Sequence, residues 1–490
     1  MVTFETGSYR DREGRVFYGD SGEIFRALSS HALAEWEAVR AASFFQKGME
    51  VGSIVRTVHI EPPLNDFRPT GSNEHKSGAG EASRPRSIFA DPTWAAFLRH
   101  DPIPFVSFPY EWTFGMLQDA ALLHLELLAL ALTEDCTLKD GTAYNVQWHG
   151  CRPVFIDVLS FERLPPGQPW AGYRQFCQTF LYPLFLQAYK DVPYQPWLRG
   201  SLDGITPQQF SNLTSLRDLF RPGVLKHAWL HARLEGSVRV RESNIRQDLP
   251  RAGFSKALSQ ALAAGLTRII RRLKWNPPDS KWSGYAANTT YSSGDAGRKA
   301  DFVRQAVASR PPGLVWDLGC NTGEYSRIAA EHALSVVAMD ADHLAVDRLY
   351  QSLRRSPDAR DAKVILPLVS NLADPSPNLG WRGQERKSLV ERGRPELTLC
   401  LALIHHLVIG AGIPMRELLQ WLAALNSRLV IEFVGKDDPM VQQLLRNKRD
   451  NYADYEFELF EIWLNEFFEV VRSERLESGT RTLFYAVPKS

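Results

Sequence analysis

The chain has 490 residues, 44% hydrophobic and 23% charged, with a formal net charge of +1. That is more than one ordinary domain and is core-forming, which excludes a disordered or low-complexity chain. The balanced charge leaves no bulk electrostatic case for nucleic acid as a partner, and Cys136, Cys151, Cys177, Cys320 and Cys400 have no paired spacing, which fits a reducing compartment and no zinc or disulfide framework.

Residues 1–60 carry two short strand patterns, Arg15–Tyr18 and Glu23–Arg26, and a helical stretch over His31–Phe45. No basic and then apolar signal segment opens the chain. Glu61–Ser87 is rich in Pro, Gly, Ser and charge and predicts a mobile loop or linker. Ile103–Trp112 is aromatic and extended, and its prolines keep it out of a sheet interior. The most apolar long run, Met116–Leu132, contains Gln118, Asp119, His124 and Glu126. Those side chains mark a buried or amphipathic helix rather than a transmembrane span, and the expectation is a cytoplasmic protein.

Leu138–Asn145 leads into a hairpin, Val146–Trp148 and Pro153–Ile156 about a His149-Gly150 turn, closed by Asp157. On their own terms, Asp140 and Asn145 cap turns and Asp157 ends a strand. The order Asp140, Asn145, Asp157 around a hairpin is also similar to the catalytic loop and metal-binding residues of kinase-like phosphotransferases. That resemblance implies that Asp140 orients an acceptor hydroxyl and that Asn145 and Asp157 hold magnesium for ATP. No His-Arg-Asp or Asp-Phe-Gly triplet accompanies them, and no Gly-rich phosphate loop or strand lysine stands out upstream. Trp170–Lys190 and Pro207–Leu234 look helical and complete an α+β N-terminal domain, residues 1–250. The linker, 251–281, holds an amphipathic helix over Phe254–Leu273, basic on one face. Such a helix joins domains with one face buried, or lies on a membrane surface.

From Trp282 onward short apolar strands alternate with helices, the pattern of a parallel sheet covered on both faces. The strands fall at Leu314–Asp317, Leu334–Met339, Lys363–Leu368, Leu397–Leu403 and Arg428–Phe433, followed by a terminal pair, Phe468–Arg475 and Arg481–Val487. Between the first strand and its helix lies Asp317-Leu318-Gly319-Cys320-Asn321-Thr322-Gly323, neither a dinucleotide-binding Gly-x-Gly-x-x-Gly nor a P-loop. Glycines there let the backbone approach a ligand closely, and the free N–H groups of the following helix favour polar groups.

This segment resembles motif I of the Rossmann-like S-adenosylmethionine-dependent methyltransferases, and the strand order that follows resembles their seven-stranded sheet. The resemblance covers 282–490 and implies S-adenosyl-L-methionine as cofactor and a small-molecule methyl acceptor. It implies a cofactor site built from Asp317, Gly319, Cys320, Asn321, Thr322, Gly323, Asp340, Asn371 and Leu372, with no metal. Asp340 ends the second strand, where an acidic side chain accepts both ribose hydroxyls; otherwise it caps the next helix, a task open to Asp342. Asn371 and Leu372 follow the third strand and would meet the edge and face of the adenine. His405 and His406 follow the fourth, beside the transferred methyl, where an imidazole can take a proton from oxygen or nitrogen. Trp282, Tyr285, Asn288 and Tyr291 form a candidate closing segment. The expected function is methyl transfer to an oxygen or nitrogen of a small molecule. The alternatives are a bifunctional chain with an ATP-binding N-terminal domain, and a non-catalytic module that senses the cofactor. Acceptor, pathway and oligomeric state are not legible.

Overall fold

The structure, a computed structural model, describes residues 3–61, 88–240, 255–278, 293–357, 359–446 and 452–489. The N-terminal half begins with an antiparallel sheet of β1 (Thr3–Phe4), β2 (Gly14–Tyr18), β3 (Ile24–Leu28), β4 (Thr57–Ile60) and β5 (Ala96–His100). The strand order is β1-β2-β3-β5-β4. The helix expected over His31–Phe45 is two helices, Ser30–Arg40 and Ser43–Val51, because Ala42 is extended at φ −70, ψ 139. A carboxylate from far along the chain makes the break. Glu134 accepts the N–H groups of Ser43 at 2.7 Å and Phe44 at 2.8 Å, capping the second helix. Most of the Glu61–Ser87 stretch lies outside the described residues.

The Phe114–Thr133 helix is the core of this half. By length and composition it could cross a membrane, yet 72% of its most apolar window is buried inside the protein. Thr113 caps it by accepting the Met116 N–H at 3.2 Å. The Lys256–Arg272 helix packs along it through Ser259, Ala263, Leu266 and Ile270. Gln118 donates to the carbonyls of Ile270 at 2.7 Å and Leu273 at 3.0 Å. The expected linker helix is therefore docked on the N-terminal half, though Phe254 lies outside the described residues. Four short strands follow the core helix: β6 (Cys136–Leu138), β7 (Val146–His149), β8 (Arg152–Phe155) and β9 (Phe161–Arg163). They pair as β6–β9 and β7–β8.

The C-terminal half is one seven-stranded sheet. Its strands are β10 (Leu314–Leu318), β11 (Ser335–Asp340), β12 (Ile365–Val369), β13 (Leu397–Cys400), β14 (Arg428–Val434), β15 (Phe468–Arg475) and β16 (Arg481–Pro488). The order is β12-β11-β10-β13-β14-β16-β15, parallel from β12 to β14 and antiparallel at β16 and β15. This is the sheet that the motif resemblance implied. Strand order reverses at β10, whose neighbours β11 and β13 carry the chain to opposite edges, and that reversal opens a crevice at the carboxyl ends of the strands.

The two halves share a continuous core. Asp119 of the Phe114–Thr133 helix accepts the Tyr350 hydroxyl at 2.6 Å and pairs with Arg354 at 2.7 Å. Asp347 accepts the Gly115 N–H at 2.9 Å. Trp148 meets Tyr350 edge to face at 5.8 Å, and Phe105 meets Trp316 at 6.1 Å. A strap between β12 and β13 crosses to the N-terminal half: Asp374 pairs with Arg199, Lys387 with Glu5, and Arg392 with Glu111.

Candidate functional site

The crevice holds a cavity of about 540 Å³ lined by the carboxyl ends of β10, β11, β12 and β13 and by the Ser293–Ser309 helix. The turn after β10 is fixed by two N–H groups, Gly319 and Cys320, which both donate to the Met339 carbonyl, at 2.8 and 3.0 Å. Gly319 has φ +77, and a Cβ added there would meet a Leu403 methyl at 3.1 Å. Gly323 has φ +82, and a Cβ there would lie 2.5 Å from Leu349. Asn321 is also left-handed, at φ 48. The backbone thus turns where only glycine, or asparagine at small cost, is comfortable.

Each cofactor-site residue named from the sequence can be placed. Gly319, Cys320, Asn321, Thr322, Asp340, Asn371 and Leu372 line the cavity. Asp317 does not. It is buried behind the turn, accepts the Ser326 hydroxyl at 2.5 Å, and burial pushes its carboxyl up to about 6. Gly323 also lies off the wall and starts the Glu324–Ala330 helix. Asp340 accepts the N–H groups of Asn321 and Asp342, each at 2.9 Å, and burial raises its pKa. The cap of the following helix is Asp342, which accepts from Leu344 at 2.9 Å and Ala345 at 3.1 Å. Asp340 is therefore not used as a helix cap. Asn371 turns its side-chain oxygen back to the Ala373 N–H at 3.1 Å.

The two histidines part company. His406 lines the cavity, and burial first and then Arg481 bring its pKa down to about 4. His405 is fully buried, neither of its ring nitrogens has a hydrogen-bond partner, and burial holds it well below the usual imidazole range. The rings stack tilted at 4.1 Å, so His405 forms the back of His406. Ala402, between cavity residues Leu401 and Leu403, sits at φ 50, an unfavourable place for alanine.

Lys299 also lines the cavity and was not singled out in the sequence. Its signal was there: Lys299 lies in register with Phe302, Val303 and Ala306 on the apolar face of its helix, and a lysine in a buried stripe needs a partner. The partner is Glu432, 2.7 Å away. Trp282, Tyr285, Asn288 and Tyr291 lie outside the described residues.

In the N-terminal half, Asp140, Asn145 and Asp157 converge on one hydroxyl. Ser160 donates to Asp157 at 2.6 Å and lies 3.3 Å from Asp140, while the Asn145 amide donates to Ser160 at 2.9 Å. Arg26 of β3 closes on Asp157 at 2.7 Å. Desolvation pushes the Asp157 carboxyl up, but Arg26 and Ser160 outweigh it and the net shift is downward. Burial and the charge of Asp157 raise that of Asp140.

No family model matches the chain. It is 32% identical to nodulation protein NoeA of Rhizobium meliloti (strain 1021) over 483 residues, 98% of this chain and 94% of that protein. The chain belongs to the NoeA family. The match spans both halves of the chain. Among solved structures, the N-methyltransferase NodS from Bradyrhizobium japonicum WM9 is 12% identical and covers 40% of this chain and 99% of its own, with a TM-score of 0.28. The magnesium protoporphyrin IX methyltransferase ChlM from Synechocystis PCC 6803 is 17% identical over 46% of this chain and 95% of its own, with a TM-score of 0.29. Scores this low lend the NoeA family no function.

Proposed function

We propose that the C-terminal half is an S-adenosylmethionine-dependent methyltransferase acting on an oxygen or nitrogen of a small-molecule acceptor. The observation that carries the reading is Asp340. Its carboxylate stands at the carboxyl end of the second strand, on the wall of the crevice beside the glycine turn, while Asp342 does the helix capping. The residues present fit the cofactor. Gly319 leaves open a cradle that a Cβ would fill, Asp340 offers acceptor oxygens for a diol, and Leu372 offers an apolar face beside the Asn371 amide.

The bound cofactor would supply an electrophilic methyl on a sulfonium. The chain's own task is then to orient the acceptor in line with it and to exclude water. His406 is uncharged at neutral pH, so its ring can accept the acceptor's proton. With a pKa so low it is a weak base, best matched to a proton that becomes acidic as the new bond forms. His405 positions it by ring contact. Asp340→Ala should weaken S-adenosylhomocysteine binding at least tenfold, since charge-assisted hydrogen bonds contribute about 1.5–3 kcal/mol each. Calorimetry showing wild-type affinity would defeat the assignment.

A second reading concerns the N-terminal half. The gathering of Asp140, Asn145 and Asp157 about Ser160, with Arg26 on a strand of the overlying sheet, favours a kinase-like nucleotide site. A magnesium-dependent thermal shift with ATP, absent in Asp157→Ala, is its test. No shift in the wild-type chain leaves the cluster a hydrogen-bonded turn.

A further inference from the structure

The surface of the N-terminal half carries a turn that is built inside out. Leu216–Phe220 is one short 3₁₀ helix. Its carboxylate, Asp218, is 7% exposed, while Leu216 is 81% and Phe220 92% exposed. With three residues per turn, positions 216, 217, 219 and 220 flank the side away from 218. The inversion is enforced from beneath. Asp218 accepts the Ser215 N–H at 2.6 Å and the Ser215 hydroxyl at 2.7 Å, and pairs with Lys190. Tyr189, on the same helix as Lys190, donates to the Pro222 carbonyl at 3.0 Å, and its ring centroid lies 5.0 Å from the Arg221 guanidinium. The packed structure therefore holds Leu216 and Phe220 out in water, at a cost in apolar burial that the reverse orientation would avoid.

Cations surround these tips. From Ser211 to Leu234 the sequence has Arg217, Arg221, Lys226 and Arg233 and a single carboxylate, the buried Asp218. Arg217, Arg221 and Lys226 are exposed, and Leu225, beside Lys226, is 45% exposed. The docked Lys256–Arg272 helix adds its last turn. A Cβ on Gly223 would meet Ile269 at 3.1 Å, and Arg268, Arg271 and Arg272 around that isoleucine are exposed. The whole chain has a net charge of only +1, so this concentration of positive charge is local. Apolar tips that stand clear of the surface, with cations at the next positions in the chain, match an anionic bilayer. The tips pass into the acyl boundary while the cations stay at the lipid phosphates. A protein interface instead keeps its charges at the rim and its apolar residues packed at the centre. Here Arg217 and Arg221 directly follow Leu216 and Phe220.

We propose that this face, centred on Leu216 and Phe220, seats the chain on an anionic lipid surface, as a peripheral contact and not a span. The test is co-sedimentation of the full chain with vesicles of phosphatidylcholine alone and of phosphatidylcholine mixed with phosphatidylglycerol. The wild type should bind the mixed vesicles, bind the neutral ones far more weakly, and lose affinity as salt is raised. Leu216→Ser with Phe220→Ser should weaken binding to mixed vesicles by roughly tenfold or more, since two apolar side chains no longer leave water. Arg217→Gln with Lys226→Gln should weaken it by roughly 10- to 30-fold, about fivefold per charge. All four positions are exposed, so both double variants should keep the wild-type unfolding midpoint. A wild type that ignores the mixed vesicles overturns the proposal, and so does equal binding to both kinds. Wild-type binding by both double variants, or a loss in only one of them, overturns it as well, because tips and cations then do not act as one face. A concentration-dependent dimer in sedimentation velocity that Phe220→Ser abolishes, without vesicle binding, assigns the face to a second copy of this chain instead.

Discussion

Arg392→Met probes how the strap joins the two halves. The Arg392 and Glu111 side chains are 1% and 4% exposed and bind fork to fork, at 2.7 and 2.6 Å. Arg392 also donates to the Val106 carbonyl at 2.9 Å and lies between the rings of Phe105 and Phe108, 5.1 and 4.8 Å from their centroids. Glu111 accepts the Phe108 N–H at 2.9 Å and the Ser376 hydroxyl. Methionine keeps much of the packed stem between the rings and removes the charge. Glu111 is then left buried with neutral donors only, and breaking a buried pair in this way costs about 3–5 kcal/mol. Glu111→Gln should cost a similar amount, by stranding the guanidinium. The double variant should lose clearly less than the sum, with a coupling of about 1–3 kcal/mol. Urea unfolding followed by tryptophan fluorescence reads this as a shift in midpoint at constant slope. A single-variant loss below about 1 kcal/mol, or strict additivity, would refute the claim that this pair is desolvated and holds the strap, because exposed pairs behave that way.

Two further outcomes are expected. His406→Gln should lose roughly 10²–10⁴ in turnover with S-adenosylhomocysteine affinity intact, and the wild-type rate should fall off on the acid side near pH 4 rather than near neutrality; a wild-type rate in the variant excludes His406 as the base. His124 is fully buried among Phe155, Trp170, Phe176 and Phe180, with both ring nitrogens unbonded, and burial brings its pKa from 6.5 down to about 3. As pH falls below 6.5 the unfolded chain takes this proton and the folded one does not, so stability is lost through that window. His124→Leu should therefore lose about 2 kcal/mol less between pH 7 and pH 5 than the wild type does, measured by denaturant unfolding at each pH; identical pH dependence would show that the ring is protonated or hydrated in the folded chain.

The C-terminal sheet was legible because its parallel strands are short, mostly apolar and separated by helices, so each boundary is a local event. Observed and expected ends differ by a residue or two, as at Leu314–Leu318 and Arg428–Val434, except that the fourth strand stops at Cys400, three residues before the expected Leu403. In the N-terminal half, β4 and β5 escaped notice because a few residues each carry no period, and their pairing is set by partners far along the chain. The break at Ala42 was invisible for the same reason, since its cap is Glu134. At the cavity, the glycine turn and Asp340 were readable from spacing. The choice between His405 and His406 was not, because adjacent residues in a wide helical turn differ only in which way they point. Lys299 was missed because its partner, Glu432, sits unannounced in the middle of an apolar strand.

The shared core also governs how the chain comes to exist. Trp148 leaves the ribosome about 200 residues before Tyr350, the ring it packs against, an interval of roughly 10–40 s at ordinary rates of synthesis. For that time the nascent N-terminal half holds Phe105, Trp148 and the Asp119 face of its core helix without the residues that cover them. The first half is born as the unfinished partner of an interface, and its apolar face waits on the second half for cover.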